Sequence, residues 1–306
     1  MLKSLRICCL FFVTFFATHS FAQSSIISVD SFTAIQQMIA GSAHPHHLLV
    51  ALDDDDTLTM IPCAPYSVGT PAGTCQYLGG PAWFSWQESL AANNPARIWT
   101  TFDQLLNIQN ALFATNAMPL DDPTIPDALK TAGQVGAHVI VASARGYDMS
   151  NATEAQFSQD GIMSTIESLA IHAKPHSKHI SFPGTYMPIP WSDKPVRAIA
   201  YEHGVLYLAG QNKGMMLQQF LKKTHEKHRI REIIFVDDTM QNVIDVANAY
   251  KNVRHINVIC VHYTRLEAHK NALTAGKEAK ALQATATTQW KNVDAAMKAN
   301  MPGYLF

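Results

Sequence analysis

Short apolar runs that alternate with segments of helical periodicity are the main pattern along this chain. Continuous apolar runs of this length are typical of buried strands. The predicted strands are residues 48–52, 137–142, 233–236 and 255–261, and residues 198–201 and 205–208 predict a β-hairpin. The predicted helices are residues 32–40, 95–117, 123–133, 153–172, 213–225, 242–250 and 266–299. Because strands alternate with helices, the pattern predicts an α/β fold with a doubly wound parallel sheet.

The first 22 residues have the anatomy of a secretory signal peptide. Lys3 and Arg6 form a positive start, residues 7–16 are apolar, and Ser20-Phe21-Ala22 ends in small residues. The apolar run is short for a transmembrane helix, which disfavours the alternative of an uncleaved anchor. We therefore expect cleavage after Ala22, a periplasmic or secreted protein, and no membrane association afterwards.

Composition adds little to this picture except by exclusion. The chain has 306 residues, a formal net charge of −1 and 47% hydrophobic residues. This composition fits a globular protein of one large or two modest domains. Because the isoelectric point is near 6.9, bulk charge gives no reason to expect nucleic acid as a partner.

Three cysteines lie beyond the signal peptide: Cys63, Cys75 and Cys260. Cys63 and Cys75 belong to a stretch rich in Pro and Gly, and export places them in a compartment that permits disulfides. We predict a disulfide between them; two free thiols or two metal ligands are the alternatives. Cys260 falls within an apolar run, which predicts a buried, unreactive thiol.

Polar residues follow three of the predicted strands directly. Asp53-Asp54-Asp55-Asp56 follows residues 48–52, Ser143 follows the second strand, and Asp237-Asp238 follows residues 233–236. The carboxyl ends of parallel strands meet at one edge of the sheet, where ligands bind. Carboxylates this close together require a cation or a proton among them. A calcium-binding EF-hand loop is the weaker alternative, because Leu58 and Ala64 stand where that loop needs Gly and Glu.

These residues, together with a lysine at a predicted helix start, resemble the four motifs of the haloacid dehalogenase (HAD) superfamily. Motif one is Asp53-x-Asp55-x-Thr57, motif two is Ser143, motif three is Lys213, and motif four runs from Asp237-Asp238 to Asn242. All four occur in order, which makes the resemblance specific. Within the superfamily the chain looks like an uncharacterised exported bacterial family and, more distantly, like the class B acid phosphatases.

The resemblance implies a HAD-like, Rossmann-type core in residues 23–306. It also implies a small, partly helical cap insertion at about residues 60–117, a minor insertion at about residues 173–208, and a C-terminal helical flank. The expected cofactor is Mg²⁺, held by the Asp53 carboxylate, the Asp55 backbone carbonyl and Asp238. Asp237 is either a direct ligand or a neighbour of the ligands.

The resemblance also assigns roles to individual residues. Asp53 is the expected nucleophile, and Asp55 is the expected acid and base. Lys213 is expected to balance the charge of the nucleophile and the phosphate, and Ser143 to donate a hydrogen bond to a phosphoryl oxygen.

The remaining residues near the motifs have weaker or open assignments. Thr57 completes motif one, and Asn242 is expected to orient the metal site or Lys213. Arg145 has two equal interpretations, a phosphate contact or a surface ion pair. Asp54 and Asp56 are expected to take no part in the chemistry.

The sequence therefore predicts a secreted, Mg²⁺-dependent phosphomonoester hydrolase that acts on a small phosphorylated substrate. Two alternatives remain open: a HAD-scaffold effector or binding protein that acts on a partner, and a phosphotransferase that delivers the phosphoryl group to an alcohol.

Overall fold

A computed structural model describes residues 24–62, 76–171, 182–192 and 195–304, with only the backbone described for residues 182–185. Its centre is an eight-stranded sheet in the order β1-β8-β7-β2-β3-β6-β5-β4. The strands are β1 Ser24–Val29, β2 Leu48–Leu52, β3 His138–Ser143, β4 Phe182–Tyr186, β5 Ile199–Glu202, β6 Val205–Tyr207, β7 Glu232–Asp237 and β8 Asn257–Tyr263. The predicted α/β fold with a parallel sheet is confirmed, since all pairs from β1 to β6 in this order are parallel.

The far edge of the sheet is antiparallel, where β6, β5 and β4 pair in turn. The predicted hairpin of β5 and β6 turns at His203 and Gly204, whose φ angles are 48° and 86°. Two consecutive residues with positive φ suit the right-handed twist of a tight hairpin.

Helices cover both faces of the sheet. The helices are α1 Phe32–Ala40, α2 Pro81–Ser89, α3 Phe102–Thr115, α4 Ile125–Val135, α5 Ser150–Gln159, α6 Met163–Leu169, α7 Lys213–Lys223, α8 Met240–Tyr250, α9 Glu267–Thr274 and α10 Ala279–Asn300. Alternation along β2 places Leu48, Val50 and Leu52 against α1, α4, α5 and α6, and Leu49 and Ala51 against α7 and α8. The result is the three-layer arrangement of a Rossmann-like core.

A separate apolar cluster lies away from the sheet, in the region predicted as a cap. Trp83 of α2 and Leu105 and Ile108 of α3 are buried together with Leu282 and Trp290 of α10. The C-terminal helix α10, which the sequence analysis placed on the flank of the sheet, therefore packs on α2 and α3, because its apolar stripe is shared with them.

Several element boundaries differ from the sequence predictions. The strands β1 and β4 and the helix α2 were not predicted, since their segments lack clear periodicity. The helix predicted over residues 153–172 is interrupted at Gly161, whose φ is 73°, and gives α5 and α6. The helix predicted to end at Gly133 continues to Val135, because the left-handed C-terminal residue is Gly136 instead.

Two predictions fall outside the described residues: the signal peptide of residues 1–22 and the pair Cys63 and Cys75. Cys260 is described and is a buried free cysteine, as predicted. Among the described helices, none combines the length and the apolar character needed to cross a membrane.

Candidate functional site

The predicted site residues come together at the carboxyl end of three neighbouring strands, β7, β2 and β3. Asp53 follows β2, Asp237 ends β7 and Ser143 ends β3. The register continues past β2, because the Asp53 N–H donates to the Val236 carbonyl over 2.8 Å. The side chains of Asp53 and Asp237 are thus brought to the same level of the sheet edge.

A tight turn after β2 separates the four consecutive carboxylates. The Asp54 carbonyl accepts the N–H groups of Thr57, Leu58 and Thr59 over 3.2, 2.8 and 3.0 Å. Asp56 has a left-handed backbone with φ of 59°. Because the chain reverses here, adjacent aspartates face different neighbours rather than alternating along a strand.

Three carboxylates form a compact group. One oxygen from each of Asp53, Asp237 and Asp238 lies within 4.8 Å of the others, and all three side chains are buried. Carboxylate oxygens are the ligands that Mg²⁺ and Ca²⁺ prefer. The Asp55 carboxylate is not in this group, since it faces Arg145 instead.

Lys213, the first residue of α7, supplies a cation to this group. Its Nζ contacts Asp53 and lies 2.7 Å from an Asp237 oxygen, and the side chain is 2% exposed. The helix start is fixed by Asn212, whose side-chain oxygen accepts the Met215 N–H over 2.9 Å. Lys213, the predicted lysine of motif three, thus lies beside Asp53, the predicted nucleophile.

Asp237 is the most heavily held member of the group. Besides Lys213, it accepts the Thr239 N–H over 2.9 Å, and Asn242 Nδ2 donates to both of its oxygens over 2.9 and 3.2 Å. Asn242 therefore orients Asp237, which is one form of the supporting role predicted for it. Asp238, in contrast, contacts Lys270 Nζ.

Burial shifts the pKa values of the residues in this group. Burial and the neighbouring Asp237 raise the pKa of Asp53 well above its usual value, and Lys213 offsets this only in part. Burial also raises the pKa of Asp238 to about 6, against the opposing effect of Lys270. For Lys213, burial lowers the pKa, but Asp237 and Asp53 more than compensate and hold it above the usual value. A carboxylate cluster that resists ionisation is one that a bound divalent cation would stabilise.

Arg145 faces the other side of the carboxylate run. Its Nε and Nη2 donate to the two oxygens of Asp55 over 2.9 and 2.7 Å, and Nε lies 3.2 Å from an Asp54 oxygen. The sequence left a phosphate contact and a surface ion pair open, whereas the structure has a buried ion pair. Burial raises the pKa of Asp54 to about 6, although Arg145 opposes the shift.

A cavity of about 470 Å³ opens above these residues. Asp53, Asp55, Asp238, Arg145 and Asn242 belong to its floor. The walls come from α2, α3 and α9, and include the apolar side chains Pro81, Phe84, Leu106 and Phe113. Three aromatic residues lie close together on α2: Trp83 and Trp86 pack in the cluster shared with α3 and α10, and Phe84 lines the cavity.

Four predicted site residues do not line this cavity: Lys213, Asp237, Ser143 and Thr57. Ser143 is fully buried, and its Oγ accepts the Arg145 N–H over 3.1 Å, which leaves its own hydroxyl hydrogen available. Thr57 is fully buried as well, and its hydroxyl has no hydrogen-bond partner among the described residues. The position of Thr57 gives it a place in the turn, not on the cavity surface.

Sequence reasoning missed two groups of residues at the site. Lys270 of α9 lines the cavity and contacts Asp238, yet a single lysine in a polar helix carries no signal. The partners of Arg145 on α5, Thr153 and Gln156, were also missed. Their spacing of three residues places them on one helix face, but nothing in the sequence indicates which side chain they contact.

Comparison with known proteins adds a family and no function. A family model described as "Protein of unknown function (DUF2608)" matches residues 28–302, about nine-tenths of the chain. Searches of curated proteins and of solved structures gave no significant match.

Proposed function

The chain belongs to the DUF2608 family, and from the site described above we propose that it is a Mg²⁺-dependent phosphomonoester hydrolase that forms an aspartyl-phosphate on Asp53. The observation that carries the proposal is the buried group of Asp53, Asp237 and Asp238, with Lys213 between Asp53 and Asp237 and with Asp53 and Asp238 lining a cavity. The four motifs stand in the order found in the HAD superfamily, and three of them follow strands of the sheet, which supports a HAD-type core.

The donor set fits a hard divalent cation. All three acidic residues offer carboxylate oxygens, they are buried, and the pKa values of Asp53 and Asp238 are raised. We assign Asp53 and Asp238 as the metal-holding carboxylates, with the Asp55 backbone carbonyl beside them. Asp237 is already bound by Lys213, Asn242 and the Thr239 N–H, which suits a supporting position. Bound Mg²⁺ would neutralise charge on the transferring phosphoryl group.

The protein side chains account for the remaining chemistry. Asp53 attacks phosphorus, and the ester P–O bond breaks as the new P–O bond to the carboxylate forms. Asp55 gives its proton to the leaving oxygen, and then takes a proton from the water that hydrolyses the aspartyl-phosphate. Lys213 offsets the negative charge of Asp53 and of the phosphate, and the Ser143 hydroxyl is the nearby neutral donor.

The cavity supports a small substrate with an apolar portion. Its volume of about 470 Å³ exceeds the needs of a phosphate group alone and lies in the usual range for small-molecule sites. Phe84 and Leu106 form an apolar wall opposite the carboxylates. The sequence features of residues 1–22 support export as the setting for this activity.

The test is hydrolysis of p-nitrophenyl phosphate by the protein, with Mg²⁺ and with a chelator. We expect turnover that requires Mg²⁺ and that Asp53→Asn abolishes. Asp160→Asn is a matched control, because Asp160 is a half-buried aspartate whose pKa burial also raises, to about 6, outside the site. Alcohol acceptors added to the assay distinguish hydrolysis from phosphotransfer. Equal turnover in Asp53→Asn and the wild type would exclude the proposed mechanism.

A further inference from the structure

Arg145 is held on every side, which is unusual for a residue that has to reach a substrate. Its side chain is 2% exposed. While Nε and Nη2 hold Asp55, Nη1 donates to Thr153 Oγ1 and Gln156 Oε1, both over 2.8 Å. The guanidinium also lies over the Phe113 ring, 4.0 Å from its centre. A turn of the guanidinium toward a phosphate would break several of these contacts at once.

The anchors of Arg145 belong partly to the cap. Phe113 lies in the last turn of α3, and Gln156 Nε2 donates to the carbonyls of Phe113 and Asn116 over 2.9 and 3.4 Å. The same helix provides Leu106 and Gln109 to the cavity wall. A continuous set of hydrogen bonds therefore runs from the end of α3 through Gln156 and Arg145 to Asp55.

The planar fork of Arg145 determines the orientation of the Asp55 carboxylate. Two parallel N–H···O bonds fix the plane of a carboxylate, which a lysine ammonium does not do. A carboxylate has about four acceptor positions, so the fork leaves the others for a proton and for the leaving oxygen. The Asp55 side chain is 17% exposed, and it lines the cavity.

We propose that Arg145 is a positioning residue that acts through Asp55, and that Gln156 makes this positioning depend on the cap helix α3. This inference rests on the proposed function. In the step concerned, the ester P–O bond breaks, Asp53 takes the phosphoryl group, and the leaving oxygen takes the proton from Asp55. Arg145 holds Asp55 in the orientation that this proton transfer needs.

The dependence of the rate on the leaving group tests the proposal. A weakly basic leaving oxygen, as in p-nitrophenyl phosphate, departs without a proton, whereas the alkoxide of glycerol 2-phosphate needs one. We measure kcat/KM for both esters, because this constant covers the steps up to transfer of the phosphoryl group to Asp53. Arg145→Lys keeps the charge and loses the fork. We expect kcat/KM to fall about 100-fold for glycerol 2-phosphate and less than about 5-fold for p-nitrophenyl phosphate.

Gln156→Leu extends the test to α3. It removes the hydrogen-bonded link between α3 and Arg145 but keeps the Phe113 contact and the ion pair with Asp55, and we expect the same selective loss at about 10-fold. Asn110→Ala is the matched control, since Asn110 joins α3 to Asp148 over 2.5 Å and does not contact Arg145. This variant should change kcat/KM for both esters by the same factor.

The possible outcomes separate the inference from the proposed function. Equal losses for the two esters in Arg145→Lys and Gln156→Leu would overturn the inference and indicate a phosphate contact or a merely structural role. If Arg145→Lys does not fold, Gln156→Leu decides alone. If the wild type hydrolyses neither ester, the proposed function falls, and the inference falls with it.

Discussion

Two buried cations face the carboxylates at the end of β2, and they bind them in different ways. Lys213 is a point charge between Asp53 and Asp237, on one side of the strand end. Arg145 is a planar fork on the other side, with both donors on Asp55. A point charge balances a group whose charge changes during a reaction, whereas a fork fixes the direction of one partner. In the proposed mechanism, this difference separates the nucleophile Asp53 from the proton carrier Asp55.

The two cations are also placed by different means. The position of Lys213 is fixed by the backbone of α7, which packs very closely on α8. A Cβ added at Gly214 would lie only 2.5 Å from the Asp245 carbonyl oxygen. Arg145 is set by side chains, through Thr153, Gln156 and Phe113. We therefore expect the first arrangement to tolerate less change than the second.

Removal of the Lys213 charge is expected to have the largest effect. In Lys213→Met, Asp53 and Asp237 remain buried without their shared cation. Turnover of p-nitrophenyl phosphate at saturating Mg²⁺ should fall by about 10³-fold, or roughly 4 kcal/mol of activation free energy. Lys222→Met, at the exposed end of the same helix, is the control. A loss of less than about 10-fold would mean that Lys213 has only a structural role.

The next largest effect concerns the pH dependence of the free energy of unfolding, measured with a chelator present so that no metal is bound. It separates the Lys213 side of the site from the Arg145 side. The pKa values of Asp238 and Asp54 are raised to about 6, so the folded protein holds protons that the unfolded chain releases. The free energy of unfolding should therefore fall as the pH rises from about 4 to about 6. Denaturant titrations at several pH values measure this.

The contributions of Asp238 and Asp54 to this pH dependence can be removed one at a time. Saturating Mg²⁺ should remove the part due to Asp238 together with that of Asp53, the other carboxylate proposed to hold the metal. Asp54→Asn should remove the part due to Asp54, on the Arg145 side. If Mg²⁺ leaves the pH dependence of the wild type unchanged, Asp238 does not hold the metal.

Substitution of the glycine beside each cation compares the two placements directly. Gly214→Ala has to move the α7 backbone from α8, and should lower the free energy of unfolding by about 1–3 kcal/mol. At Gly146, a Cβ would meet only the Asp148 carboxylate, which can turn away. Gly146→Ala should therefore change stability by less than about 0.5 kcal/mol. Equal effects would contradict a backbone origin for the Lys213 position.

Among the changes to activity, the smallest effect is expected at Asn242, which orients Asp237 without a charge. Asn242→Ala should raise the Mg²⁺ concentration for half-maximal activity by about 10-fold and leave kcat at saturating Mg²⁺ nearly unchanged. Gln241→Ala, at the exposed neighbouring position, serves as the control. A fall in kcat that excess Mg²⁺ does not restore would place Asn242 in the chemistry instead.

The Lys213 side was largely predictable from the sequence. Asp53 and Asp237 follow apolar runs, and the carboxyl ends of adjacent parallel strands converge. Lys213 begins a helix that leads into β7, so chain order alone brings it near the same edge. The core strands and most core helices were found for the same reason, because burial imposes a regular pattern of apolar positions.

The Arg145 side was not predictable in the same way. Asp55 and Arg145 are 90 residues apart and meet through the turn after β2, whose left-handed Asp56 reverses the direction of the carboxylates. Lys270 and Gln156 come from helices whose polar residues look like ordinary exposed positions. Contacts between side chains of different elements leave no periodic trace, so this part of the site needed the structure.

The shared cluster of α2, α3 and α10 has a consequence for the order of events on the ribosome. Trp83 and Leu105 obtain their partner Trp290 only after about 200 further residues have been synthesised. Until then the wall of the cavity has no apolar support on that side, whereas the partners of β2 in β3 and β7 emerge earlier. Long-range contacts of this kind form late. The nascent protein therefore acquires its strand-end carboxylates before the apolar cluster that supports the cavity wall is complete.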